Sequence, residues 1–280
     1  MDPDALDARV AAPVEHHDTL PSTNDVARQL GRAGEPHGTF VVADEQTAGR
    51  GRTGNVWVSP EGGVWSSTLL RPDFSPAHVG RLTFAGGLAA AETAESFGVE
   101  AGLKWPNDVL VTADGTEAKK IAGVLTEAVV DEVPVAGKPV DEVLPGTDPE
   151  SADLSFVVMG IGVNADLAPA DLETDRAVAT LRDERGEPVD PVEVAAILHG
   201  KLLHWAEVVE TADGFAEALD AWRERSVTLG ERVRVQIRGG EEVVGRAARV
   251  TETGALVVET DEGTGTVEVT EGECERLRPT

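Results

Sequence analysis

The apolar residues change their spacing once, near Leu229, and that change divides the chain into two unlike parts. Downstream they alternate: Val233, Val235 and Ile237, then Val243, then Leu256 and Val258, then Val267 and Val269. A period of two marks strands with one buried face. Gly239-Gly240, Gly254 and Gly263 to Gly265 supply turns between the runs. The spacing predicts a small all-β barrel of about five short strands over residues 229–280.

Upstream, residues 1–228 mix helical spacing with short β-branched runs. Ser22 to Gly31 reads as a helix, with Ser22, Thr23 or Asn24 as N-cap and Val26, Ala27 and Leu30 as its apolar stripe. Leu82 to Phe97, Val192 to Glu210 and Phe215 to Arg225 read as further helices. Strands are expected at Phe40 to Ala43, Val64 to Leu70, Leu103 to Val111, Lys120 to Val130 and Ser155 to Val163. Asp114-Gly115 suggests a hairpin turn. Val133 to Asp153 is rich in Pro, Gly and acid and has no period, so an exposed acidic insertion is expected over about 131–153.

Charge narrows the function classes. Asp plus Glu number 51 against 24 Lys plus Arg, a formal net charge of −27. Such a surface repels nucleic acid, whose binding rests on basic groups neutralising phosphates. It resembles the composition of proteins from salt-loving organisms, in which concentrated salt screens the self-repulsion. No apolar run is long enough to span a membrane. Met1 to Val10 is acidic and has no apolar segment of a secretory signal. The lone Cys274 excludes an internal disulfide and fits a cytoplasmic setting. Of the five lysines, Lys104, Lys119 and Lys120 cluster together, which suggests specific tasks for them.

Four segments carry chemistry. Gly49-Arg50-Gly51-Arg52-Thr53-Gly54, after Gln46, sets two guanidiniums among glycines. That suits a phosphate or carboxylate, and equally describes a solvated loop. In Lys104-Trp105-Pro106-Asn107-Asp108, proline interrupts the ladder and Asn-Asp favours a turn. A lysine at a buried strand end calls for an anion such as a nucleotide phosphate, unless it reaches solvent beside a core tryptophan. Lys119-Lys120-Ile121-Ala122-Gly123-Val124-Leu125-Thr126-Glu127 begins a strand that turns apolar, with Gly123 marking a close backbone approach and an ordinary hairpin strand with a charged start as the plainer reading. Gly160-Ile161-Gly162-Val163-Asn164 ends a buried strand and lacks the third glycine and following helix of a dinucleotide fingerprint.

Taken in order, these segments with Ser22-Thr23-Asn24 and Trp57 resemble the biotin protein ligase family over roughly residues 20 to 225. The resemblance implies an α+β fold: a mixed sheet flanked by helices, as in class II aminoacyl-tRNA synthetases, followed by a small SH3-like β-barrel. It implies two steps, formation of biotinyl-5'-AMP from biotin and Mg²⁺-ATP, then transfer of biotin to a lysine of a biotin carboxyl carrier protein. Ser22, Thr23 and Asn24 match the residues lining the biotin ring, with Gln46 nearby. Arg50, Gly51 and Arg52 match a loop closing over biotin and adenylate. Lys120 and Gly123 match the strand contacting biotin, and Lys104 the lysine near the α-phosphate. Asn107 and Asp108 complete that corner, and Trp57 and Asn164 match positions near adenine. Lys104, Arg50, Arg52 and Asp108 are the expected catalytic set. No metal cage is read, and the groups that hold Mg²⁺ stay unassigned.

Two departures stand out. Many members carry basic residues where this chain has Asn55 and Val56. The 21 residues before Ser22 are too few for the helix-turn-helix of bifunctional members, so no DNA partner is expected. The nearest rival is a lipoate or octanoate ligase or transferase of related fold. A biotin-responsive repressor and an inactive adaptor fit less well, given the acidity and the presence of Arg50, Arg52, Lys104 and Lys120. The oligomeric state stays open, a homodimer included.

Overall fold

The computed structural model describes residues 1–112, 118–136, 140–174, 176–237, 240–261, 265–270 and 272–277. In the first part, α1 (Pro3–Asp7), β1 (Val14–Leu20), α2 (Thr23–Ala33), β2 (Phe40–Gln46) and β3 (Val64–Leu70) come first. Then follow α3 (Gly80–Ser96), β4 (Gly102–Lys104), β5 (Asp108–Val111), β6 (Lys119–Val130), β7 (Val133–Ala136), α4 (Val140–Val143) and β8 (Leu154–Val163). The helices α5 (Leu181–Arg185), α6 (Pro191–Val208) and α7 (Ala212–Glu224) close this part. Its eight strands form one mixed sheet in the order β1-β2-β3-β8-β6-β5-β4, with β7 paired to β6. Only β1 and β2 run parallel; the other pairs are antiparallel.

Both faces of the sheet are covered, so its central strands are apolar on both sides and do not alternate in polarity. The alternation survives as a choice of partner. On β8, Val157, Met159 and Ile161 join the core under α3, α6 and α7, while Phe156 and Val158 join Ala27, Val41, Leu69 and Val129 under α2. Phe156 is 2% exposed, and truncating it to alanine would cost about 3–5 kcal/mol through lost burial and the cavity left behind.

The second part is a five-stranded antiparallel sheet in the order β12-β11-β10-β9-β13. Its strands are β9 (Arg232–Gln236), β10 (Glu242–Val250), β11 (Leu256–Thr260), β12 (Thr266–Val269) and β13 (Glu273–Arg276). The alternating valines face inward: Val233, Val235, Val258 and Val269 are buried, and the residues between Val233 and Val235 and on either side of them are more exposed. The apolar core is continuous from α3 through Trp105 to this sheet. Trp105 Nε1 donates to the Gly254 carbonyl (3.1 Å), and Trp105 N–H donates to Thr228 Oγ1 (2.9 Å).

Several expectations need correction. The segment 133–153 is not simply an exposed insertion: β7 pairs with β6, and Val135 and Val140 are buried in the core, although Asp131, Glu132 and 145–146 are exposed. Its apolar residues are too sparse to show a period yet suffice to anchor it. Leu103 to Val111 is two strands joined by a turn at Trp105–Asn107. Ser22, one of the three expected caps, does occupy the N-cap of α2, without a side-chain cap bond, and Gln46 Oε1 takes the Thr23 N–H at 2.8 Å. The Asp114-Gly115 turn and Lys138 lie outside the described residues.

Candidate active site

The floor of the site is made by the rows that pack α2. On β8 the row Phe156, Val158 continues as Gly160 and Gly162, so bulk under the helix gives way to open space. The glycines are required there. A Cβ at Gly160 would run into the Asn24 amide, and one at Gly162 would lie 2.6 Å from Trp57 Nε1. The result is a cleft of about 1020 Å³ between the N-terminus of α2, the Gly/Arg loop, the β4–β5 turn and strand β13. It is lined by Ser22, Thr23, Asn24, Gln46, Arg50, Gly51, Arg52, Trp57, Lys104, Asn107, Asp108, Lys120 and Gly123.

One end is built from neutral polar groups. Ser22, Thr23 and Asn24 are buried. Ser67 Oγ lies 2.7 Å from Thr23 Oγ1 and 2.6 Å from Asn24 Oδ1. Gln46 accepts from Thr23 N–H and donates from Nε2 to Ser59 Oγ (2.9 Å). Asn24 Nδ2 and Trp57 Nε1 are buried donors without a protein partner. Buried donors are seldom left unpaired, so both call for a ligand acceptor.

The other end is charged. The spacing of Lys104 and Asp108 closes a tight hairpin in which the two residues face each other across β4 and β5. Asp108 Oδ2 lies 3.8 Å from Lys104 Nζ, and Asp108 Oδ1 lies 2.5 Å from Lys120 Nζ. One carboxylate thus holds two ammoniums. Burial pushes the Lys120 pKa below the ordinary lysine value, opposed by Asp108 and assisted by Arg176 and Lys104. Lys120 Nζ also sits 4.7 Å over the Trp57 ring, a cation–π contact. Asn107 does not point freely into the cleft: its Nδ2 donates to the Val124 carbonyl at 2.7 Å.

Arg50 lines the cleft. Its guanidinium makes a two-pronged pair with Asp25 (2.9 and 2.7 Å), on α2. Arg52 sits on the short turn Arg52–Gly54 and lines the cleft. Asn164 is not part of the cleft lining: its buried amide donates to the carbonyls of Lys120 (3.2 Å) and Ala179 (2.9 Å), tying β8 to the segment before α5. Cys274 is buried, and burial pushes its thiol pKa up to about 11, which leaves it inert near neutrality.

Sequence reasoning missed Asp25, Arg28, Ser67, Arg176 and Glu273, and gave Glu127 no role. Arg176 and Glu273 line the cleft and pair at 3.6 Å, and Asn55 donates to the same Glu273 carboxylate (3.2 Å). No local pattern announces contacts between such distant segments. Among the described residues, His16, Asp18 and Asp44 bring potential metal-ligand atoms within 4.8 Å of one another. Asp44 is already bonded to the N-terminal amine at 2.8 Å, and none of the three lines the cleft.

Residues 17–137 match the biotin/lipoate A/B protein ligase family, and residues 228–277 match the biotin protein ligase C-terminal domain. The bifunctional ligase/repressor BirA of Bacillus subtilis is 33% identical over 254 residues, 89% of this chain and 70% of that one. The biotin–[acetyl-CoA-carboxylase] ligase of Mycobacterium tuberculosis is 31% identical, covering 92% of this chain and 86% of that one. Among solved structures, the biotin protein ligase of Aquifex aeolicus in complex with biotin and ATP superposes with a TM-score of 0.71 at 26% identity, covering 95% and 99% of the two chains. The chain belongs to the biotin protein ligase family.

Proposed function

We propose that the protein activates biotin with ATP as biotinyl-5'-AMP and transfers it to a specific lysine of a biotin carboxyl carrier protein. The observation that carries this is the union, in one cleft, of unpaired neutral donors and a lysine pair on one carboxylate. Biotin's ureido group would pair with the Ser22–Asn24 wall, where Asn24 Nδ2 waits for an acceptor. Its carboxylate would reach Lys120, whose lowered pKa is restored by an anion. As the carboxylate attacks the α-phosphate, charge builds on phosphate oxygens, and Lys104 would stabilise it. Asp108 orients both lysines and keeps their mutual repulsion in check.

Mg²⁺ enters as the counter-ion of the nucleotide. Both oxygens of Asp108 already face ammoniums, so phosphate oxygens and water would supply most of its ligands. Residues 1–228 would carry catalysis and residues 229–280 would close the cleft with β13. The carrier partner, ATP dependence and lone buried cysteine support a cytoplasmic location, and no helix among the described residues is long and apolar enough to cross a membrane. The test is biotin-dependent exchange of labelled pyrophosphate into ATP, followed by labelling of a carrier domain. Omitting biotin or ATP should abolish labelling. Equal labelling with lipoate would overturn the assignment in favour of the related lipoate chemistry.

A further inference from the structure

Arg50 lines the cleft from the Gly/Arg loop, and its guanidinium is engaged by acidic side chains. Nη1 and Nη2 engage the two oxygens of Asp25, and Nη2 lies 3.8 Å from Glu127 Oε1. Arg28 completes the circuit: its Nη2 reaches Asp25 Oδ1 (3.0 Å) and Glu127 Oε2 (2.9 Å). Glu127 is 6% exposed, on β6, in the row of the sheet that faces α2. Two guanidiniums and two carboxylates therefore join three elements: the Gly/Arg loop, the helix whose first turn holds Thr23 and Asn24, and the strand that carries Lys120 and Gly123.

We infer that Asp25, Arg28 and Glu127 form the seat of the Gly49–Gly54 loop, and that Arg50 is a positioning residue that anchors the loop to this seat. The inference rests on the proposed reading of the cleft as a biotinyl-adenylate site. Local chemistry supports it. A planar guanidinium on a carboxylate fixes both distance and orientation, as a lysine would not. The pairing holds the Asp25 carboxyl below its ordinary pKa, chiefly through the Arg50 hydrogen bonds, so Asp25 stays ionised near neutrality. Arg28 is the bridge, and the buried Glu127 fixes that bridge to the sheet, so the loop is referenced to the cleft floor. Since α2 begins at the neutral wall, a ligand that orders Thr23 and Asn24 also steadies the helix turn bearing Asp25, and through it the loop. Asp25 and Glu127 thereby become determinants of how long the reactive anhydride is retained.

The experiment compares wild type with Asp25→Asn, Arg50→Gln, the double variant and Asp25→Glu. Release of preformed biotinyl-AMP and biotin affinity are measured for each, and tryptic cleavage after Arg52 is timed without ligands. Asp25→Asn and Arg50→Gln should each speed release roughly fivefold, the value expected for a partly exposed, charge-assisted pair. The double variant should be no faster than the faster single one, because both remove the same contact. Asp25→Glu should recover most of the retention. Asp25→Asn should also quicken tryptic cleavage. Wild-type release in Asp25→Asn beside fast release in Arg50→Gln would overturn the seat, as would additive effects. An unchanged tryptic rate in Asp25→Asn would overturn it independently of catalysis. Absence of pyrophosphate exchange in wild type would instead overturn the biotin-ligase reading, and the tryptic comparison would still decide the seat.

Discussion

The two ends of the cleft solve different problems with different materials. The end formed by Ser22, Thr23, Asn24, Gln46 and Ser67 is neutral, buried and built from amides and hydroxyls whose mutual bonds fix their directions. The end formed by Lys104, Asp108 and Lys120 is ionic and held by one shared carboxylate. Neutral donors discriminate by geometry, and their worth depends little on salt. Cations act on charge, and act most where charge is newly made. The difference teaches that neutral and ionic recognition are held apart in one cleft, and under the proposed reading they would divide binding from chemistry.

Lys104→Ala should break the comparison hardest. Losing a cation that faces developing negative charge should slow single-turnover adenylation roughly 100- to 1,000-fold. Calorimetric biotin affinity should move much less, because that charge exists only during reaction. A variant that loses biotin affinity yet keeps its maximal adenylation rate would place Lys104 at the wrong end.

Gly160→Ala should do the reverse. The added methyl displaces the Asn24 amide without touching any charge. Biotin affinity should fall roughly tenfold, as for one spoiled buried hydrogen bond, while the rate at saturating biotin stays near wild type. A rate loss at saturation would show that the neutral wall also times the chemistry.

Lys120 sharpens the comparison through pH. Its pKa is lowered from 10.5 mainly by burial. Biotin affinity should therefore decline with rising pH at a midpoint below that of an ordinary lysine, and Lys120→Arg should remove the decline. The stability trend has the opposite sign. A lysine whose folded pKa lies below its unfolded one binds fewer protons when folded, so its contribution to stability rises as pH climbs through that window. A flat affinity profile would remove Lys120 from the carboxylate.

Salt gives the smallest expected change. With 51 acidic residues against 24 basic ones, raising KCl from about 0.1 M to 1 M cuts the screening length from about 10 Å to about 3 Å. The melting temperature should rise by a few degrees, and activity should persist because the cations act at contact distance. Greatest stability in dilute buffer would point to a basic partner. Duplex DNA should give no sequence-selective shift under any of these conditions.

How much of this was legible depends on how local the cause is. Val64–Leu70 and the alanine-rich helix near Leu82 were readable because burial and period act within a few residues. Lys104 and Asp108 were readable as a unit for the same reason, since a tight turn brings them together. The parallel edge strand β1 was not, because most of its residues are only partly buried and Val14 and Leu20 alone are aliphatic. Gly160 and Gly162 were noticed, but their place in the Phe156–Val158 row needs the sheet's facing to be known. The pairing of Arg50 with Asp25 links residues 25 positions apart through folding alone.

The indole of Trp105 has a consequence for the order in which the enzyme comes into being. Its ring nitrogen bonds Gly254, which is 149 residues further along the chain, and its backbone N–H waits 123 residues for Thr228. The cleft also takes part of its wall from Glu273 to Arg276. On the ribosome, the biotin wall and the lysine corner are therefore synthesised long before the segment that seats the turn between them. A growing chain cannot complete the wall of this cleft halfway through translation: the lining is whole only once residues 273–276 have been made and Gly254 has met the tryptophan.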